Sequence, residues 1–250
     1  MIYTFDTKKA QLRDGYYQTG TGARQVLIVG SCRTMPYLNY LARANADNSM
    51  TIRYINPFDW GWNAQDEQVN VEQAIDALEA DERILSVIRR AQVFIHEHFG
   101  NYGMFNTSRD AEKNIYQLGM AAEQDISVPN FHDLFILRND FAAFGEVPDD
   151  WVARGNTAVE KFCALCALTS FQEMAQHFRD NWRATRFFWT PNHIGAEFSI
   201  YLFRLMNDKF LHLPLDNDFW QQARGEDMFA TPCTQVHPKD IEAYGLTWNN

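Results

Sequence analysis

Three short apolar runs alternate with stretches of helical spacing in the first hundred residues, and no other feature constrains the fold as much. The runs are residues 25–30 (QVLIVG), 51–56 (TIRYIN) and 92–96 (QVFIH). A nearly continuous apolar run of this length is what a strand buried on both faces requires. Between the first two, Met35, Leu38, Leu41 and Ala42 fall at helical spacing, and Pro57 closes the second run. Residues 71–90 read as two helical segments. The second is capped by Asp81 with Ile84, Leu85 and Ile88 facing inward. A β-α-β-α-β order with short connections predicts a parallel sheet with helices on its faces.

Residues 125–128 and 186–190 (RFFWT) read as further strands, and residues 149–183 as a helical insertion. Apolar spacing at Phe198, Tyr201, Leu202 and Leu205 predicts a helix over 194–210. The polar, Gly-punctuated residues 1–24 read as an N-terminal arm, leaving 25–250 as a single α/β domain.

Composition excludes several classes. At 250 residues, 46% hydrophobic and 22% charged, the chain is of ordinary globular make-up. None of its apolar runs approaches the ~20 residues that a membrane-spanning helix needs. The opening MIYTFDTKKAQLRDG has no apolar stretch behind a basic start, so the expectation is a cytoplasmic protein. A formal net charge of −10 argues against a broad grip on nucleic acid, which depends on many phosphate-neutralising cations. Four cysteines are present, Cys32, Cys163, Cys166 and Cys233, at spacings that suggest no disulfide framework. Cys163 and Cys166 sit in an apolar helical stretch and read as core packing.

In sheets of this kind, ligands bind beyond the carboxyl ends of the strands. Three segments follow such ends: Gly30-Ser31-Cys32-Arg33, then residues 96–101 (HEHFGN), and Thr190-Pro191-Asn192-His193. Cys32 stands at a strand-to-helix turn, where helix N–H groups and the dipole favour a thiolate over a thiol. Arg33 adds positive charge beside it. His193, at the end of the RFFWT strand and at the opening of a helix, reaches the same sheet edge if the two strands are parallel neighbours. It is the candidate general base. Asn101, with the backbone around Gly61, can donate to a developing oxyanion. His96 and His98 share one face of a strand end. Without a third ligand of matching type they read as polar binding residues rather than a metal pair. Trp60 and Trp62 can line an acceptor groove or simply pack.

The order of these parts resembles the SGNH-type hydrolase and acyltransferase arrangement, with Gly30-Ser31-Cys32 where that superfamily has Gly-Asp-Ser. More closely, the chain resembles the WcbI-like family of polysaccharide-biosynthesis acetyltransferases, which carry a Gly-Asn-Cys-Gln turn after the first strand. Residues 91–102, Ser127 to Phe131, Pro191-Asn192-His193 and residues 232–248 look like successive segments of that family. The chain departs from its pattern at Ser31, Arg33 and Ile194, and Thr190 stands where SGNH enzymes have an Asp orienting the histidine.

The resemblance implies a three-layer SGNH/flavodoxin-like core, coenzyme A or acetyl-CoA as co-substrate, and acyl transfer to a sugar or other hydroxyl acceptor. Catalysis would then rest on Cys32, His193 and Asn101. Ser31, Arg33 and Gly61 would meet the cofactor, and His96, His98, Asn192 and Trp60 the acceptor, with no metal. Three alternatives stay open: a thiol-dependent esterase or deacylase, a non-catalytic ligand-binding protein of the same fold, and a metal hydrolase using His96 and His98. Transferase and hydrolase differ in whether water is excluded, with the 149–183 region as the candidate lid.

Overall fold

The computed structural model describes residues 11–13, 15–30, 34–56, 58–63, 68–69, 76–78, 80–97, 115–118, 151–167, 171–190, 193–227, 241–242 and 244–247. The chain divides into two compact units, Met1–Met120 with Met206–Pro214, and Ala121–Leu205 with Leu215–Asn250. The fold is mixed α/β.

The first unit is built on a six-stranded sheet. Its strands are β1 (Gln11–Arg13), β2 (Tyr16–Thr19), β3 (Arg24–Val29), β4 (Met50–Ile55), β7 (Val93–Glu97) and β8 (Ile115–Leu118). They lie in the order β1-β2-β4-β3-β7-β8. β4, β3, β7 and β8 are mutually parallel, and β1 and β2 join antiparallel beyond β4. The three expected strands are β3, β4 and β7. Val26 to Val29 are almost wholly buried, as their unbroken apolar run requires. Residues 11–19, within the stretch expected as an arm, supply an edge hairpin, with Tyr17 opposite Tyr54.

Helix α1 (Met35–Ala44) carries the chain from β3 to β4, burying Tyr37, Leu38, Tyr40 and Leu41. It ends at Asn45, whose side chain accepts from Met50 N at 2.7 Å and donates to Met50 O at 2.9 Å, fixing where β4 begins. After β4 come the one-turn helix α2 (Phe58–Gly61) and a small hairpin of β5 (Trp62–Asn63) with β6 (Gln68–Val69). Helix α3 (Glu82–Arg90) has Asp81 as N-cap, accepting from Arg83 N at 2.8 Å. Its buried stripe is Ile84, Val87 and Ile88, so Val87 occupies the inward place expected of Leu85. Spacings of three and four keep 84, 87 and 88 on one face, and Leu85 lies a residue's rotation away from it.

The second unit holds α4 (Trp151–Ala167) and α5 (Glu173–Asn181), two helices where a helical insertion was expected. The RFFWT strand is β9 (Phe188–Thr190), and it pairs antiparallel with β10 (His193–Ile194) in a two-stranded sheet of its own. It does not run parallel within the main sheet, because Thr190 pairs with His193 and only Pro191 and Asn192 separate them, which returns the chain on itself. Helix α6 (Ala196–Met206) follows and continues as a π-helical turn, Asn207–Leu211; α7 is Asn217–Gly225. Phe162, Phe178, Phe187, Phe188 and Phe198 form an aromatic core. The candidate strand at 125–128 lies outside the described residues.

Candidate functional site

The carboxyl edge of the parallel strands is set by backbone register. Val29 at the end of β3 is level with Ile55 of β4 on one side and His96 of β7 on the other. The chain order along the sheet reverses here, since β4 and β7 leave β3 on opposite sides, and crevices that accept ligands form at such reversals. Gly30 is anchored at both of its polar groups. Its N–H donates to Ile55 O at 3.0 Å, and its carbonyl accepts from the buried Tyr54 hydroxyl at 2.9 Å.

Ser31, Cys32 and Arg33, the expected nucleophile and its neighbours, lie outside the described residues, and the chain is described again from the buried Thr34. The first turn of α1 contains no acidic residue and no side-chain capping hydrogen bond, with Pro36 in that turn. Its N–H groups and the positive end of the helix dipole therefore suit an anion.

Beyond β4, Asp59 lies in α2, with its N–H bonded to Asn56 O at 3.0 Å. Burial pushes the Asp59 carboxyl above the ordinary carboxylate range. The Tyr17 phenol is pushed up by burial and then by the Asp59 charge. Trp60, expected to face an acceptor, donates its indole N–H to Gly15 O at 3.1 Å and packs against that glycine. Gly61 is the last residue of α2. His96 is placed by its backbone between Val29 and Gln117. His98 and Asn101 lie outside the described residues.

His193 belongs to the second unit. It stands on β10 rather than at the opening of a helix, and α6 starts three residues later at Ala196. The hairpin is held by Gly195 N donating to Phe187 O at 2.7 Å, and a Cβ at Gly195 would meet Arg186 O at 3.1 Å. Asp227 accepts from Ala196 N at 2.9 Å, capping α6. Burial lowers the Arg186 guanidinium to about 10, partly opposed by the Asp227 charge. Asn192 lies outside the described residues.

Cys163 and Cys166 are buried in α4, and burial raises both thiols, Cys166 to about 12. Among the described residues no cluster of three His, Cys, Asp or Glu side chains could hold a metal ion. Among them too, no helix is long and apolar enough to cross a membrane. Tyr54, Asp59 and Asp227 are the positions that pattern reading passed over. Asp59 alone had a local signal, a carboxylate two residues after the proline that ends a strand.

No protein-family model matches the chain, and no curated protein matches it in sequence. A solved structure of WcbI, a polysaccharide biosynthesis enzyme, described as native protein without a disulfide bond between coenzyme A and a cysteine, is similar in fold. The TM-score is 0.51 at 12% identity, over 91% of this chain and 81% of that one.

Proposed function

We propose that the chain is an acyl-CoA-dependent O-acyltransferase, most simply an acetyltransferase, acting on a sugar or another hydroxyl acceptor. One observation carries this reading. The fold similar over 91% of the chain is that of a polysaccharide biosynthesis enzyme whose coenzyme A and cysteine are named together, and this chain has Cys32 directly after its first parallel strand. The strand order β4-β3-β7, with α1 and α3 as crossovers, supports the three-layer flavodoxin-like core that belongs to the same reading. The first turn of α1, which holds no acidic residue, suits the anionic groups of such a donor.

In this reading Cys32 gives its proton to His193, and its sulfur forms a thioester with the acyl group as the donor's C–S bond breaks. His193 passes that proton to the departing sulfur. It then takes the proton of the acceptor hydroxyl, whose oxygen attacks the acyl carbonyl while Cys32 leaves as thiolate and the ester is released. Asn101 and the backbone around Gly61 and Cys32 supply donors to the tetrahedral oxyanion. Ser31 and Arg33 meet the donor, and His96, His98, Asn192 and Trp60 the acceptor.

Intact-protein mass after incubation with acetyl-CoA, for wild type and Cys32→Ser, tests this. The expected result is one added acetyl group, on wild type only, mapped to Cys32. An acetyl group that leaves as acetate without any acceptor identifies the esterase instead. The absence of both an adduct and free CoA counts against acyl transfer at Cys32.

A further inference from the structure

Residues 46–49, in the loop that joins α1 to β4, are exposed and carry the chain's one Asn-Ser pair, Asn48-Ser49; no Asn-Gly occurs. Asn48 is clipped to Thr21, in the loop between β2 and β3, by two hydrogen bonds. Thr21 N–H donates to Asn48 Oδ1 at 3.0 Å, and Asn48 Nδ2 donates to Thr21 Oγ1 at 2.8 Å. The Asn48 N–H donates to Asn45 O at 2.9 Å. The next peptide N–H, that of Ser49, donates to Asp47 Oδ1 at 3.0 Å. Hydrogen bonds from the Ser49 side chain and N–H hold Asp47 below the ordinary carboxylate range, so it stays charged at neutral pH.

We propose that Asn48 is a deamidation site whose reaction is gated by the clip to Thr21. An asparagine followed by a small residue loses its side-chain amide when the next backbone nitrogen, stripped of its proton, attacks Cγ. Here a bond forms between Ser49 N and Asn48 Cγ, the Cγ–Nδ2 bond breaks, and the nitrogen leaves as ammonia after taking up a proton. Water then opens the succinimide ring at one carbonyl or the other, giving aspartate or isoaspartate at this position. The closed clip denies both reacting partners. Two bonds fix the Asn48 amide on Thr21, and the Ser49 N–H is held by a carboxylate whose charge disfavours the amide anion. Opening of the two loops frees both. Either product lacks the Nδ2 donor to Thr21 and places a second negative charge beside Asp47. Isoaspartate also lengthens the main chain two residues ahead of β4. The inference stands independently of the acyltransfer reading.

The test follows Asn48 by peptide mapping at pH 8, in native protein and in urea, for wild type, Thr21→Val and Thr157→Val. Thr21→Val removes the Oγ1 acceptor of the clip. Thr157→Val removes a hydroxyl bond of similar length, to Ala153 O at 2.9 Å, in the other unit. We expect wild type to deamidate at Asn48 at least about tenfold more slowly in the native state than in urea. Thr21→Val should raise the native rate about threefold and leave the rate in urea unchanged. Thr157→Val should match wild type in both.

No deamidation at Asn48 in urea overturns the proposal, as does a wild-type native rate equal to that in urea. So does a native rate in Thr21→Val no higher than in wild type or in Thr157→Val, since the clip would then gate nothing. If Thr21→Val does not fold, hydrogen exchange in wild type decides. The opening that frees Asn48 also exposes the Thr21 N–H, so its protection must match the slowing of deamidation to within about threefold, or the proposal fails.

Discussion

Trp60 and Gly15 interlock: the indole N–H donates to the Gly15 carbonyl at 3.1 Å, and a Cβ built on Gly15 would stand 2.2 Å from Trp60 Cζ2. Gly15 also has φ +90°, in the region that favours glycine. The β1–β2 turn is thereby fastened against α2, at the end of β4 that faces the candidate site. Gly15→Ala should cost about 1–3 kcal/mol, from backbone strain and from the clash with the ring. Urea unfolding should show a lower midpoint at unchanged slope, and pairing with Trp60→Ala should recover the part due to the clash. A midpoint equal to wild type in the single variant would show that the turn yields freely.

The second unit depends on aromatic packing. Phe178 is fully buried, with ring centroids 4.6 Å from Phe162, 5.2 Å from Phe187 and 5.8 Å from Phe188. Truncation to alanine removes all three ring contacts and leaves a cavity that rigid neighbours fill poorly. The expected loss is about 3–5 kcal/mol, and Phe178→Leu should lose less. Calorimetric or denaturant unfolding of the two variants checks the order. Leucine as damaging as alanine would mean that ring shape, and not volume, sets the cost.

His177 lies flat on Tyr201, with centroids 3.5 Å apart and planes within 6°. Burial lowers its pKa below 6.5, opposed by the charges of Asp180 and Glu197. The folded state therefore resists protonation more than the unfolded state does. The stability gained from a neutral His177 is present above about pH 6.5 and is lost as pH falls from there through the lower folded value. Urea melts between pH 8 and 5 should show this decline. His177→Phe keeps an aromatic ring on Tyr201 and should flatten the curve in that window; an identical decline in the variant would assign it to other groups.

The parts of the fold that could be read from sequence are those whose burial shapes composition. β3, β4 and β7 are covered on both faces, so their apolar runs stand out, and Asp81 marks the start of α3 by a cap that needs only local residues. The β1–β2 hairpin left no such mark, because its strands are short and β2, next to the edge strand β1, is only half-buried. RFFWT was recognisable as a strand but not by its partner, since strand propensity says nothing about pairing. The Pro191-Asn192 pair was the available clue to a hairpin. At the candidate site, the end of β3 at Val29 was legible from its apolar run, and Cys32 follows it three residues later in the sequence. Tyr54's tie to Gly30 and Trp60's to Gly15 join residues 24 and 45 apart, and no local pattern encodes them.

The cysteines separate by environment, and labelling should reveal it. Cys163 donates its S–H to Ala175 O at 3.3 Å and is held above the usual thiol range by burial. Cys166, fully buried and pushed up to about 12, is ionised at pH 8 in only about one molecule in ten thousand. Alkylation requires the thiolate, so both should stay unmodified by iodoacetamide in native protein at pH 8 and react fully in urea. Cys32, at a helix N-terminus by the reading above, should label in the native state. Peptide mapping after timed alkylation distinguishes these sites directly. Native labelling of Cys163 or Cys166 at the rate of Cys32 would mean that α4 opens on that timescale. The Cys163-Ala-Leu-Cys166 spacing could then carry chemistry that its burial in α4 now denies it.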